Sequence, residues 1–224
     1  MSELKGNIGL WINDMLMQYG KLLLNCDGFR SPIVKKIINI RKEGRLLLNY
    51  QEAIVLYTSV LGTAKIQGSC AEVGVYTGGS AKLICEAKRD KDIFLFDTFE
   101  GLPHISTYDK GFHQGEYFAS YENVVQYLCQ YHNVHIYKGL FPGSAKPIKH
   151  EKFSFVHFDV DLYKSTKDAL EFFYPRMEKG GIILSHDYGK KGAVGVKRAF
   201  DEFYKAKREP VIALTGTQCM VVKI

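Results

Sequence analysis

The residues best suited to chemistry follow two apolar runs that read as neighbouring strands. Asp159 and Asp161 come directly after one run, and His186 and Asp187 come after the next. Because the carboxyl ends of neighbouring parallel strands lie about 5–10 Å apart, up to four ligand atoms can converge there. Oxygen ligands with one imidazole suit Mg²⁺ or Mn²⁺, and less readily Zn²⁺ or Fe²⁺. We interpret this pattern as a metal centre; the alternative is that Asp159 caps a helix and Asp161 faces solvent.

A glycine-rich segment, Glu72-Val-Gly-Val-Tyr-Thr-Gly-Gly-Ser80, follows an earlier apolar run and precedes an apolar helix. Its glycines allow close approach to a ligand, and the start of the helix offers free N–H groups. The spacing fits neither the G-x-G-x-x-G dinucleotide fingerprint nor a phosphate loop. An acidic residue before the first glycine points to a ligand with an ammonium group and no pyrophosphate. The alternative is an ordinary turn between a strand and a helix.

Asp97 ends the next predicted strand, about twenty residues beyond the glycine segment. An acidic residue at this place is suited to gripping ribose hydroxyls. Alone it is a weak signal, because Asp often caps a turn. Together with the glycine segment, it indicates a nucleoside pocket.

These residues need a scaffold of alternating strands and helices, which the second part of the chain provides. The predicted strands are 69–75, 93–96, 134–137, 153–158, 181–185, 211–214 and 219–222, and the predicted helices are 79–88, 121–131, 165–177 and 194–205. This alternation predicts an α/β fold, a doubly wound parallel sheet covered by helices on both faces. The link at 215–217 is too short for a crossover, so the last two strands form a hairpin and one strand runs antiparallel.

The first part, residues 1–67, is predicted to be a helical segment preceding the domain at 68–224. Apolar residues at helical spacing predict a first helix within 8–23. A second helix is predicted to start with Ser31 as its N-cap and Pro32 at the first helical position, and a third begins at Asn49. The apolar faces of these helices need a partner, so we expect a lid or dimerisation role and a homo-oligomer. The aperiodic stretch at 99–120 has the character of either a substrate lid or a subunit contact.

Composition narrows the class of protein. The chain has 224 residues, 46% of them hydrophobic, and a formal net charge of +6, which excludes a disordered chain. No apolar run reaches about 18 residues and no secretory signal is apparent, so we expect neither a membrane association nor export. Five scattered cysteines suggest buried thiols in a reducing compartment, the cytoplasm. The basic residues lie in short groups on helices, which favours solvated helix faces over a nucleic-acid partner.

Five segments in matching order carry a resemblance to a known family. They are the glycine segment, Phe96-Asp-Thr-Phe-Glu-Gly-Leu-Pro103, Asp159-Val-Asp-Leu-Tyr-Lys-Ser-Thr166, Tyr174-Pro-Arg-Met-Glu-Lys-Gly-Gly181 and Gly195-Val-Lys-Arg-Ala-Phe-Asp-Glu-Phe203. Over about residues 50–210 the chain resembles the macrocin O-methyltransferase (TylF-like) family. The resemblance implies a Rossmann-like fold, S-adenosylmethionine as cofactor, often Mg²⁺, and methylation of sugar hydroxyls on natural products.

The resemblance also implies roles for individual residues. Glu72 and the glycines line the methionine end of the cofactor, and Asp97 holds its ribose. The whole implied cofactor-binding set is Glu72, Gly74, Tyr76, Thr77, Gly78, Ser80, Asp97, Thr98 and Asp159. Asp159 is then both a metal ligand and the general base, and His186 and Asp187 complete the metal site.

One position departs from that family, which usually has Asp-Asp where this chain has His186-Asp187. Histidine brings less charge and a softer donor, so the metal is expected to be weaker, different or absent. If it is absent, His186 is the candidate base, since its ordinary pKa suits neutral pH.

Three other functions compete with this interpretation. A nucleotide-dependent oxidoreductase needs a dinucleotide fingerprint that the chain lacks. A nucleic-acid methyltransferase would explain the positive charge but has no need of a metal cluster. A non-catalytic S-adenosylmethionine-binding protein is the third, suggested only by His186.

Overall fold

The structure is a computed structural model that describes residues 30–224 together with residues 15 and 28. The helix predicted over 8–23 lies, apart from Met15, outside the described residues. No helix in the described part of the chain is long and apolar enough to cross a membrane.

Two described helices precede the sheet. Helix α1 spans Arg30–Lys42 and α2 spans Tyr50–Gly62. The prediction of Ser31 as an N-cap is wrong, because the backbone is already helical at Arg30; Pro32 still lies in the first turn, where its missing N–H costs nothing. Helix α2 begins one residue after the predicted start, because Asn49 is its N-cap, in a reciprocal capping box with Glu52.

Seven strands form one sheet. They are β1 Ser69–Val73, β2 Ile93–Asp97, β3 Val134–Lys138, β4 Phe153–Phe158, β5 Met177–Ser185, β6 Ile212–Ala213 and β7 Cys219–Val222. Their order is β3-β2-β1-β4-β5-β7-β6, and β7 runs antiparallel to both of its neighbours, β5 and β6, whereas the first five strands in this order are parallel. The predicted seven-stranded sheet with an antiparallel last strand is therefore confirmed.

The helices between the strands are α3 Gly79–Cys85, α4 Tyr121–Leu128, α5 Tyr163–Phe173 and α6 Val194–Tyr204. Helix α5 ends four residues earlier than predicted, because Pro175 lies in a short 3₁₀ turn that leads straight into β5. Strand β1 ends two residues early, since Gly74 adopts a φ of 88°.

Each face of the sheet buries its own apolar cluster. Helices α1 to α4 cover one face, and α5 and α6 cover the other. The second cluster centres on Phe173, whose ring lies 4.9 Å from that of Phe153 and 5.4 Å from that of Phe141. The two layers make the sheet a rigid platform whose carboxyl edge carries the loops.

The topological switch point of the sheet lies between β1 and β4. From β1 the chain moves outward to β2 and β3, and from β4 it moves the other way to β5. In a doubly wound sheet, ligands bind in the crevice that opens at this switch.

Four cysteines lie in the described residues, and all are free. Cys70, Cys85 and Cys219 are buried as predicted. The prediction is wrong for Cys129, which follows the last turn of α4 and is exposed.

Replacing Phe173 by Ala should lower the free energy of unfolding by about 3–5 kcal/mol, because it leaves a cavity among the aromatic rings that surround Phe173. Phe118→Ala is the matched control, because that ring is 67% exposed. Chemical denaturation measures both. Equal, small losses in the two variants would contradict the described packing.

Candidate active site

A cavity opens at the carboxyl ends of β1, β2, β4 and β5. Most of the predicted site residues line it: Gly74, Tyr76, Ser80, Asp97, Thr98, Asp159, His186 and Asp187. Three others, Glu72, Thr77 and Gly78, lie behind this wall and are absent from its lining. The fold thus brings the glycine segment and the metal-ligand candidates to one place.

Gly74 allows the two central strands to meet at the switch point. Its φ is 88°, and a Cβ on it would lie 1.9 Å from the carbonyl oxygen of Asp159. Only glycine fits this position, because any side chain would force β1 and β4 apart.

Asp97 organises the loop after β1. One carboxylate oxygen accepts hydrogen bonds from the N–H groups of Val75 and Tyr76, both at 2.8 Å, and the other accepts from Phe99 at 2.7 Å. It therefore caps turns, as one interpretation of the sequence held, while it also lines the cavity.

Glu72 is fully buried beneath the glycine segment. Its Oε1 lies 2.8 Å from Nδ1 of His157, a buried residue to which the sequence analysis gave no role. Burial raises the pKa of Glu72, although the hydrogen bond and the charge of His157 oppose the shift. Its Oε2 is also buried and has no hydrogen bond of acceptable geometry within the described residues, and Glu72 does not reach the cavity wall.

Asp159, His186 and Asp187 form a compact cluster. Nδ1 of His186 lies 3.3 Å from Oδ1 of Asp159 and 3.0 Å from Oδ1 of Asp187, yet Nδ1 and both Asp187 oxygens lack hydrogen bonds of acceptable geometry. One donor atom from each residue lies within 4.8 Å of the others. Ligands at about 2.1 Å from an octahedral ion are about 3.0 Å apart along an edge. The donor set therefore fits a divalent cation.

Asp161 also belongs to this cluster. Its Asp-x-Asp spacing from Asp159 suggested this, but the sequence alone did not assign it a role in the metal site. Both Asp161 and Asp187 have left-handed backbone conformations, with φ of 57° and 65°, and both are buried. Such strain in non-glycine residues concentrates at functional sites. Burial and the charges of Asp187 and Asp159 raise the pKa of Asp161 to about 8. The alternative in which Asp161 faces solvent is wrong.

Positive charge balances these carboxylates. Nζ of Lys190 lies 3.0 Å from Oδ1 of Asp187 and 3.1 Å from Oδ1 of Asp161. Burial alone would lower the pKa of His186, but the charge of Asp159 and hydrogen bonds to the surrounding carboxylates raise it well above its ordinary value. In the chain without a bound ion, this favours a ring protonated at both nitrogens, and an ion at Nδ1 would displace the proton from that nitrogen.

Glu52 is the functional candidate that sequence reasoning missed. It belongs to α2, yet its Oε2 lies 3.3 Å from Nε2 of His186. Burial would raise the pKa of Glu52, but its hydrogen bond and ionic interaction with His186 lower it to about 2. The sequence contained the capping pattern Asn49-x-x-Glu52, but nothing in it indicated a contact across more than 130 residues.

Residues preceding the sheet also reach the cavity. Arg45 and the three leucines that follow it line the wall, and Arg45 exchanges two hydrogen bonds with Thr77, at 3.1 and 3.2 Å. Gly101 and Tyr117 contribute from the aperiodic stretch at 99–120. Both regions for which the sequence left a lid or a subunit contact open therefore border the site.

The seven-stranded sheet with one antiparallel strand, and its cavity at the switch point, define a Rossmann-like methyltransferase fold. The structure of the O-methyltransferase NovP matches 84% of this chain and 79% of that chain, with a TM-score of 0.65 and 23% identity. The calicheamicin methyltransferase CalS11 matches 89% of this chain and 95% of that one, with a TM-score of 0.65 and 17% identity. Likenesses at this level of identity establish the shared fold.

The sequence places the chain in a particular family within this fold. The profile of the Macrocin-O-methyltransferase (TylF) family matches residues 45–219, well over half of the chain. The chain belongs to that family, which confirms the resemblance drawn from its motifs.

Two curated relatives illustrate the membership. The 8-demethyl-8-(2,3-dimethoxy-alpha-L-rhamnosyl)-tetracenomycin-C 4'-O-methyltransferase of Streptomyces olivaceus is 27% identical over 172 residues, or 68% of this chain and 64% of that protein. The demethyldecarbamoylnovobiocin O-methyltransferase of Streptomyces niveus is 27% identical over 161 residues, or 63% of this chain and 60% of that protein. The chain spans less than two thirds of the length of these relatives.

Asp97→Ala should loosen the loop after β1, because three backbone N–H groups lose a charged acceptor. Hydrogen exchange at the amides of Val75, Tyr76 and Phe99 should accelerate at least about tenfold. The control is Glu100→Gln, whose carboxylate is 76% exposed. Unchanged exchange in Asp97→Ala would contradict the organising role.

Proposed function

We propose that the chain is an S-adenosylmethionine-dependent O-methyltransferase whose acceptor is a hydroxyl of a sugar or of a glycosylated natural product. Its family and the names of its relatives support this activity. The observation that carries the proposal is the cluster of Asp159, His186 and Asp187 at the wall of a cavity bordered by Gly74 and Asp97. A nucleoside-sized cleft next to a proton acceptor is what methyl transfer to oxygen requires.

In the proposed complex, Asp97 holds the ribose of the donor, and the glycine segment lines its methionine half. Glu72 lies buried beneath the glycine segment and supports it from behind the cavity wall. The donor, when bound, supplies an electrophilic methyl group. The protein's tasks are therefore to align the acceptor oxygen in line with that methyl group and to remove the hydroxyl proton.

Asp159 is the proposed proton acceptor. Both Asp159 and Asp187 line the cavity, but the side chain of Asp159 is 29% exposed and Asp187 is only 1% exposed. The raised pKa of His186 disfavours the alternative in which that residue is the base, because an imidazolium has no free lone pair. Asp161 contributes a second acidic side chain to the same wall, but its raised pKa makes it the weaker candidate for a group that is ionised at neutral pH.

Asp159, His186 and Asp187 would hold a divalent cation such as Mg²⁺ or Mn²⁺. Such an ion, when bound, lowers the pKa of a nearby hydroxyl, which matters because a sugar hydroxyl is a weak acid. Lys190 adds a positive charge beside Asp187 and Asp161.

The acceptor is proposed to bind at the outer rim. Leu47 and Leu140 line the cavity with largely exposed side chains, and Tyr117 offers a ring at the same mouth. An apolar and aromatic rim suits the face of a sugar or the planar part of a natural product. We also propose that either the segment before residue 68 or a second copy of the chain closes the cavity over the acceptor.

Asp159→Asn should abolish turnover on a sugar-bearing acceptor while S-adenosylmethionine binds with nearly unchanged affinity. The amide keeps the shape of the carboxylate but cannot accept the proton. Isothermal titration measures binding, and transfer of a labelled methyl group measures turnover. Near-wild-type turnover in Asp159→Asn, with loss only in Asp161→Asn, would transfer the role to Asp161.

Removing divalent ions with a chelator should lower turnover, and adding Mg²⁺ or Mn²⁺ back should restore it. Metal analysis of the treated protein is the control. Full activity in protein shown to be free of metal would favour metal-independent transfer instead. If S-adenosylmethionine binds but no acceptor is methylated under any condition, a non-catalytic binding protein is the better interpretation.

A further inference from the structure

The two ring nitrogens of His186 have different surroundings. Nε2 faces Oε2 of Glu52 at 3.3 Å and the hydroxyl of Thr217 at 3.1 Å. Nδ1 faces the carboxylates of Asp159 and Asp187 but has no hydrogen bond of acceptable geometry. The ring is therefore held on one side and aimed into the cluster on the other.

Glu52 is built to hold the ring. Its carboxylate is buried and accepts hydrogen bonds from the backbone N–H of Asn49 at 3.1 Å and of Thr217 at 3.2 Å. These two backbone hydrogen bonds hold the Glu52 carboxylate in place independently of its contact with His186. A buried carboxylate that accepts the N–H of a ligating histidine fixes its tautomer and strengthens its second nitrogen as a donor.

The donor atoms of this cluster are buried and suit a divalent cation. Asp187 is only 1% exposed, and neither of its oxygens has a hydrogen bond of acceptable geometry. Nδ1 of His186 lies 3.0 Å from Oδ1 of Asp187 and also lacks a hydrogen bond of acceptable geometry. Nζ of Lys190 reaches Oδ1 of Asp187 at 3.0 Å, so Oδ2 of Asp187 and Nδ1 of His186 are the buried atoms to which a metal ion would give a partner.

We propose that Glu52 is a positioning residue that presents Nδ1 of His186 as a metal ligand, so that this centre prefers nitrogen-accepting transition ions such as Co²⁺ or Zn²⁺ to Mg²⁺. The proposal rests on the metal site of the proposed function and specifies which ions that site takes. Imidazole is a softer donor than carboxylate, and Mg²⁺ favours oxygen ligands. A helix that precedes the sheet thereby contributes to the selectivity of a centre at the strand ends.

The test uses the full chain without donor or acceptor and titrates it calorimetrically with Co²⁺ and with Mg²⁺. Co²⁺ should bind at least about 100-fold more tightly than Mg²⁺, and His186→Asp should reduce that ratio at least about tenfold. Glu52→Gln should weaken Co²⁺ binding by about 10–100-fold. Asn49→Ala, which removes the side-chain cap of the same helix but keeps the backbone N–H to Glu52, should bind Co²⁺ like the parent.

Proton NMR of the Co²⁺-loaded chain supplies a readout that a merely structural role would not move. The parent should show one strongly shifted, exchangeable imidazole N–H resonance, from Nε2–H of His186. His186→Asp should lack it, and in Glu52→Gln it should exchange faster with water. Thermal unfolding of each variant checks that the fold is retained.

The proposal is overturned if the parent shows no such resonance, or if its ratio of Co²⁺ to Mg²⁺ affinity equals that of His186→Asp. It is also overturned if Glu52→Gln binds Co²⁺ like the parent. Ligation by His186 without any methyl transfer would sink the proposed function alone. Methyl transfer in a chain that binds no ion would sink this inference alone.

Discussion

Concentrated negative charge at one edge of the sheet is the constraint on which the site depends. Asp159, Asp161 and Asp187 meet where β4 and β5 end, and two of them are buried. Carboxylates cannot be brought together out of water without compensating positive charge. His186 and Lys190 supply part of it, which explains why the pKa values of both are raised.

The same constraint explains why the segment before the sheet is part of the site. Glu52 extends the chain of alternating charges by one carboxylate, and Arg45 bonds to Thr77 in the glycine segment. A Cβ on Gly79 would lie 2.4 Å from the carbonyl oxygen of Arg45, so the backbones themselves are in contact. Residues 30–62 thus pack onto the sheet and also shape the cavity.

Much of the fold could be predicted from the sequence because its signals are local. Alternating apolar runs located the strands, and the short link at 215–217 required the hairpin. Strand ends also located Asp97, Asp159 and Asp187, since carboxyl edges follow from topology alone. Glu52 could not be found in this way, because its role depends on how a preceding helix docks. The burial of Asp161 likewise depends on a left-handed backbone that spacing does not predict.

Anomalous diffraction from crystals of the full chain grown with Co²⁺ and S-adenosylhomocysteine tests the central claim most directly. The account predicts one peak within about 2.0–2.3 Å of Asp159, of Nδ1 of His186 and of Asp187, next to the bound nucleoside. It would be contradicted by side chains of Asp159 and Asp187 that turn away from each other with no anomalous peak between them.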